Sequence, residues 1–172
     1  MEERSGVVTM KGNPLTLLGG EIKVGDMAPD FVVVDNDLQP VRFSSYSGKI
    51  VVISAVPSLD TPVCDMETRR FNDEAGRLSG DVVILTISMD LPFAQKRWCG
   101  AAGVDRVITL SDYRDAEFGK AYGALIKELR LLARMVFVVD QSGVVRYVQT
   151  VKELTQEPDY EAVLATVRAL AD

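Results

Sequence analysis

An α/β fold with a mixed central sheet flanked by helices is the architecture this chain predicts, and three observations carry it. The runs Ile50 to Val56 and Val82 to Ile87 are β-branched and apolar on both faces, as central strands covered on both sides are. Each is followed by a segment of helical periodicity. A third apolar run, Met135 to Val139, passes through a turn at Asp140-Gln141-Ser142-Gly143 into a strand over Val144 to Val148, the pattern of a late hairpin.

Taken in order, Val7 to Leu18 alternates loosely around Lys11-Gly12-Asn13-Pro14 and reads as an N-terminal hairpin within an extension over residues 1–20. The turn-rich block Val24 to Asp30 leads into a short strand over Phe31 to Val34. Asn36 to Gln39 turns the chain, and Val41 to Phe43 pairs with or continues that strand. After the strand Ile50 to Val56, Thr61 and Pro62 open a helix, because threonine suits the N-cap and proline the first helical position. Thr68, Phe71, Ala75 and Leu78 fall with Cys64 in one sector of that helix, and Asp65, Arg69, Asn72 and Asp73 fall largely outside it. Cys64 is therefore expected to be partly sheltered. Asp90-Leu91-Pro92 opens a second helix carrying Phe93, Trp98 and Cys99 that closes near Gly100 and Gly103. A strand over Val107 to Leu110, a helix around Ala116 to Tyr122 and a terminal helix from Tyr160 to Leu170 complete the pattern. Strands alternating with helices and ending in a hairpin give a thioredoxin-like mixed sheet. With no repeat, low-complexity tract or linker in view, residues 1–172 read as one domain.

Composition narrows the chemistry. A chain of 172 residues, 47% hydrophobic and 26% charged, has the balance of an ordinary soluble globule. The net charge of −6 argues against nucleic acid or an anionic membrane as the main partner, since both select basic surfaces. Met1 to Pro14 has no apolar stretch of signal-peptide length, so a cytoplasmic location is expected. The chain has no histidine, which removes Cys-His and Ser-His-Asp pairs and, with only two cysteines, makes a zinc site implausible. No metal or organic cofactor is expected.

Cys64 would be the third residue of its helix, where free backbone N–H groups and the positive end of the helix dipole favour a thiolate. The dipole alone is not enough. Lowering a thiol pKa from about 8.5 to about 6 needs roughly 3.4 kcal/mol, whereas a helix terminus supplies about 0.3–1 and at most about 2. Asp60 and Asp65 flank the site and would act in the wrong direction, so an arginine must come in. Arg69, Arg70 and Arg134 are the candidates.

The stretch Pro57-Ser58-Leu59-Asp60-Thr61-Pro62-Val63-Cys64 resembles the peroxiredoxin pattern Pro-x-x-x-Thr/Ser-x-x-Cys. Lys11-Gly12-Asn13-Pro14, Val24 to Phe31, Asp90 to Gln95 with Trp98-Cys99-Gly100, and Leu131 to Arg134 are similar to the bacterial thiol peroxidase branch of that superfamily. The resemblance implies that Cys64 is the peroxidatic cysteine and that Thr61 hydrogen-bonds the thiolate and orients the peroxide. It also implies that Pro57 shields the pocket, that Arg134 stabilises the thiolate, and that Cys99 is the resolving cysteine of the same subunit. The implied substrates are hydrogen peroxide and alkyl hydroperoxides, the implied reductant is thioredoxin, and the implied assembly is a homodimer.

Two other classes stand beside this one on the residues alone. A thioredoxin-like disulfide carrier would exchange electrons without reducing peroxide, although Ser58 to Val63 hold no second cysteine for a Cys-x-x-Cys pair. A non-enzymatic domain stapled by a static disulfide is the other. Bonding two helix-borne cysteines requires their Cα atoms to approach to about 4.4–6.8 Å. Either the first turn after Thr61 or the end of the helix before Gly100 is thus expected to unwind when Cys64 and Cys99 join.

Overall fold

In the computed structural model, residues 1–75, 77–78 and 80–171 are described. Strands β1 (Glu3–Met10) and β2 (Asn13–Leu18) form the antiparallel N-terminal hairpin. Lys11 and Gly12 turn it with φ of 50° and 83°, the left-handed conformation that two-residue hairpin loops require. The chain continues through β3 (Val32–Val34), β4 (Pro40–Arg42), a 3₁₀ turn over Phe43–Tyr46, β5 (Ile50–Ala55), α1 (Pro62–Ala75), β6 (Val82–Ser88) and α2 (Pro92–Ala102). It ends with β7 (Ile108–Ser111), α3 (Glu117–Ala121), β8 (Leu125–Ile126), β9 (Met135–Val139), β10 (Val145–Thr150) and α4 (Tyr160–Ala171).

Seven strands form the main sheet in the order β10-β9-β5-β6-β7-β3-β4. β5, β6 and β7 run parallel, and the remaining pairings are antiparallel. This is the mixed, thioredoxin-like α/β sheet that the sequence predicts. Every residue of β5 is buried, and alternation sends Val51, Ile53 and Ala55 into one layer and Ile50 and Val52 into the other. Phe71 of α1 and Val163 and Val167 of α4 cover the second layer. The first is built on Phe31, Phe118, Tyr122 and Phe137, whose ring centroids lie 4.8–6.3 Å apart in mostly edge-on contacts. Such pairs add about 0.5–1.5 kcal/mol each beyond their buried area.

Two local readings are revised. Phe43 does not extend a strand; it starts the 3₁₀ turn, donates its N–H to Phe31 O at 2.9 Å and stacks its ring on Phe31 at 5.0 Å. The short strand β8 is unforeseen, because two residues carry no readable period. It pairs with β2 through Leu17–Ile126 and Leu18–Leu125 and so docks the hairpin on the body. Arg4 tightens this junction by donating to Gly19 O at 3.1 Å and Gly123 O at 2.6 Å. Gly123 has φ +65°, and a Cβ there would collide with the carbonyl of Gly20, so only glycine lets the two segments meet.

The parallel strands place the chemistry. The C-terminal ends of β5, β6 and β7 meet at one edge of the sheet, where Val56 N donates to Ile87 O at 3.0 Å and Asp112 N to Ser88 O at 2.9 Å. Crevices beyond such ends are the usual ligand sites of open α/β sheets. Among the described residues, no helix is long and apolar enough to cross a membrane.

Candidate active site

Cys64 stands in the first turn of α1, immediately beyond the end of β5. The Thr61 carbonyl accepts the first helical bond from Asp65 N at 2.9 Å, and Pro62 occupies the first helical position. Thr61 thus starts the helix with its backbone, but its hydroxyl does something else. Oγ1 donates to Ser58 O at 2.8 Å, and Thr61 N donates to the same carbonyl at 3.2 Å, which closes the loop tightly in front of the cysteine. Pro57 is buried at the root of that loop.

The cysteine is more enclosed than expected. Cys64 is 0% exposed and packs with Val56, Leu59 and the half-buried Trp98. The loop, rather than the helix stripe alone, supplies the cover. A shallow depression of about 250 Å³ is lined by Leu59 and Trp98 of this cover together with Asp60, Thr61, Pro62 and Asp65.

Of the three candidate arginines, the structure brings Arg134 to the cysteine. Arg69 pairs with Asp65 at 3.0 Å, donates to Ala102 O and lies over the Trp98 ring. Arg70 is taken up by Glu74 and Glu161 and lies over the Tyr160 ring. Arg134, directly before β9, is 2% exposed and holds its guanidinium by donating Nε and Nη2 to Leu154 O at 3.1 and 2.8 Å. Its Nη1 meets Glu67 Oε1 at 2.9 Å. Burial pulls the Arg134 pKa down, but its interactions with the neighbouring Cys64 and Glu67 side chains more than offset this and hold it above its ordinary value.

Glu67 is a site residue that the sequence reading missed. It follows Cys64 by one helical turn, is 0% exposed, and accepts Ser54 Oγ at 2.5 Å on its second oxygen. Burial pushes its carboxyl pKa up, against the opposing pull of Arg134 and Ser54. Its spacing of three from Cys64 on the inward stripe was the available signal. Asn72 is likewise turned inward rather than outward, where Oδ1 accepts from Arg106 N at 2.7 Å and Val107 N at 3.1 Å. Asp65 is neutralised locally: Oδ2 pairs with Arg69, and Oδ1 accepts Trp98 Nε1 at 2.9 Å.

Cys99 sits on α2 in different surroundings. It is half-buried, and its Sγ lies 3.4 Å from Thr109 Oγ1, which donates to Asn36 Oδ1 at 3.0 Å. It borders a second depression with Asp35, Asn36, Asp37 and Val104 among its lining residues. Trp98, rather than Cys99, faces the Cys64 cluster, and both cysteines are free thiols. Among the described residues, no group of three or more His, Cys, Asp or Glu side chains converges in a metal-binding arrangement.

A buried thiol at a helix N-terminus, with a fixed guanidinium beside it, is an arrangement for thiolate chemistry within a thioredoxin-like frame. The Redoxin family profile matches residues 23–164 of the chain. A thiol peroxidase of Oceanobacillus iheyensis is 61% identical over 158 residues, covering 92% of this chain and 96% of that protein. A thiol peroxidase of Bacillus subtilis is 56% identical over 163 residues, covering 95% and 97%. The crystal structure of a peroxiredoxin-like protein from Aquifex aeolicus superposes with a TM-score of 0.90 at 46% identity, over 97% of both chains. The chain belongs to the Redoxin family, and within it to the thiol peroxidase branch of the peroxiredoxins.

Proposed function

We propose that Cys64 is the attacking thiolate of a thiol-dependent peroxidase, and the buried Ser54–Glu67–Arg134 chain ending beside its sulfur is the observation that carries this reading. The thiolate attacks the terminal oxygen of a hydroperoxide and forms the S–O bond as the O–O bond breaks; the leaving hydroxide or alkoxide takes up from solvent the proton that the thiol released on ionising, and departs as water or an alcohol. Cys64 becomes a sulfenic acid. Arg134 and the first-turn N–H groups stabilise the charge on the sulfur and on the leaving oxygen without reorganising, since both are already held in place. Thr61 Oγ1, which donates to Ser58 O in the resting site, turns in this reading toward the incoming peroxide.

Cys99 then condenses with the sulfenic acid, forming a disulfide and releasing water. A thioredoxin-type dithiol reduces that bond by exchange. The free thiols in separate environments argue against a static structural staple. Hydrogen peroxide and alkyl hydroperoxides are the substrates and a homodimer is the working assembly, both read from the family resemblance.

The test is to mix reduced protein with one equivalent of hydroperoxide and follow peroxide, thiols and disulfide mapping together. One peroxide consumed per chain with a Cys64–Cys99 bond supports the cycle; inert thiols reject it. Cys64→Ser is expected to abolish turnover, and Cys99→Ser to retain the first oxidation while blocking thioredoxin-coupled cycling.

A further inference from the structure

The loop that covers Cys64 is held from outside its own segment, by Asp90. Asp90 follows β6 by two residues, and because β6 runs parallel to β5 at its side, the residue arrives next to the loop that leaves β5. Its carboxylate accepts three hydrogen bonds: Ser58 Oγ to Oδ1 at 2.7 Å, Leu59 N to Oδ2 at 2.8 Å and Ser88 Oγ to Oδ2 at 2.8 Å. Ser88 Oγ in turn accepts Gln95 Nε2 at 3.0 Å, and the Asp90 carbonyl accepts the Ser111 hydroxyl. The anchor is thus tied to β6, α2 and β7 at once.

What it anchors matters for the reaction. The Ser58 carbonyl receives both the N–H and the hydroxyl of Thr61, so the place of Ser58 sets the place of Thr61 Oγ1. Leu59, whose N–H is bound by Asp90, packs directly on Cys64. One carboxylate therefore governs the place of the Thr61 hydroxyl and of the apolar cover that packs on the thiol.

We propose that Asp90 is a positioning residue for peroxide attack, acting through Ser58 and Leu59 on Thr61 and on the cover of Cys64. The proposal rests on Cys64 being the reacting thiol. Misplacing a group near the reacting atoms by about 1 Å can cost about 10²-fold in rate. Asp90 is tied to the first half of α2 through Ser88 and Gln95, whereas Cys99 lies in its second half, so the step it serves is the oxidation of Cys64.

The experiment is rapid-quench kinetics of the full chain with hydrogen peroxide, measuring Cys64 oxidation and disulfide formation as separate steps in wild type, Asp90→Ala, Asp90→Asn and Ser58→Ala. Asp90→Ala should lower the second-order oxidation rate at least tenfold. Asp90→Asn, which keeps an acceptor for Leu59 N–H, should recover to within about threefold of wild type. Ser58→Ala should lose severalfold, and no variant should slow the first-order disulfide step. A wild type that consumes no peroxide would remove the underlying reading of Cys64, and the proposal with it. Unchanged oxidation in a folded Asp90→Ala, a slowed disulfide step alone, or no rescue by asparagine overturns the positioning role. If Asp90→Ala does not fold, an unchanged rate in Ser58→Ala overturns it equally.

Discussion

Arg134 and Glu67 are each meaningful only with the other present. An uncompensated carboxylate at a fully buried position is costly, and removing one partner of a buried pair typically destabilises a protein by about 3–5 kcal/mol. Arg134→Met is therefore expected to lose stability by about that amount in urea unfolding and also to lose peroxide reactivity. The two losses are separable. The double variant Arg134→Met/Glu67→Gln removes both charges, so it should regain most of the stability while its oxidation rate stays at the low level of Arg134→Met. Recovery of the rate along with the stability would assign Arg134 a purely structural part. Arg134→Lys keeps a charge but not the planar fork that reaches Leu154 O and Glu67 together, and it should remain slower than wild type.

At the scale of elements, α2 is unevenly fastened. Gln95, 1% exposed, ties its first half to β7 and β6 by donating to Leu110 O at 2.8 Å and Ser88 Oγ. Its second half is held by the Trp98–Asp65 bond, the Cys99–Thr109 contact and the Arg69–Ala102 bond. Disulfide formation should therefore open the second half. In amide exchange by mass spectrometry, residues 96–102 should exchange faster in the oxidised protein than in the reduced one, with residues 92–95 unchanged. Equal protection in both states would contradict this.

The short helix α3 depends on a different buried acid, Asp112, which accepts Phe118 N at 3.1 Å and Gly119 N at 2.8 Å. Burial raises its pKa from 3.8 to about 6 against the pull of those two N–H groups. Because the folded state holds the proton more tightly than the unfolded chain, its contribution to stability is greatest below about pH 4. That contribution declines as pH rises to about 6 and is level above. A rise from 3.8 to about 6 corresponds to up to about 3 kcal/mol. Relative to Asp112→Asn, wild type should lose stability across that window in urea titrations, and parallel profiles would refute it.

Across the whole molecule, what could be read along the chain is what depends on local order. The β5 and β6 runs, the helix start at Thr61–Pro62 and the turn at Asp140–Gly143 announce themselves because period, capping and turn chemistry act over a few residues. Arg134 could be named as a candidate for the same reason, standing before an apolar strand. The resemblance over Leu131 to Arg134 singled it out from Arg69 and Arg70, whereas charge reasoning alone left the three level; the pairing of β9 with β5 is what brings it near α1. Glu67, Asp90 and the full enclosure of Cys64 were hidden because each is defined by segments far apart in the chain. A buried glutamate looks like any helical glutamate until its partner arrives.

Trp98 is the sole tryptophan of the chain, and it sits between the two cysteines in function as well as in sequence. Its indole N–H is bound to Asp65 on α1, its ring packs beside Cys64 and under Arg69, and its neighbour along α2 is Cys99. Joining the thiols, as proposed, should disturb that indole. The emission of that indole is therefore expected to change as the disulfide forms, so that stopped-flow fluorescence after mixing with peroxide would follow the cycle with no added dye.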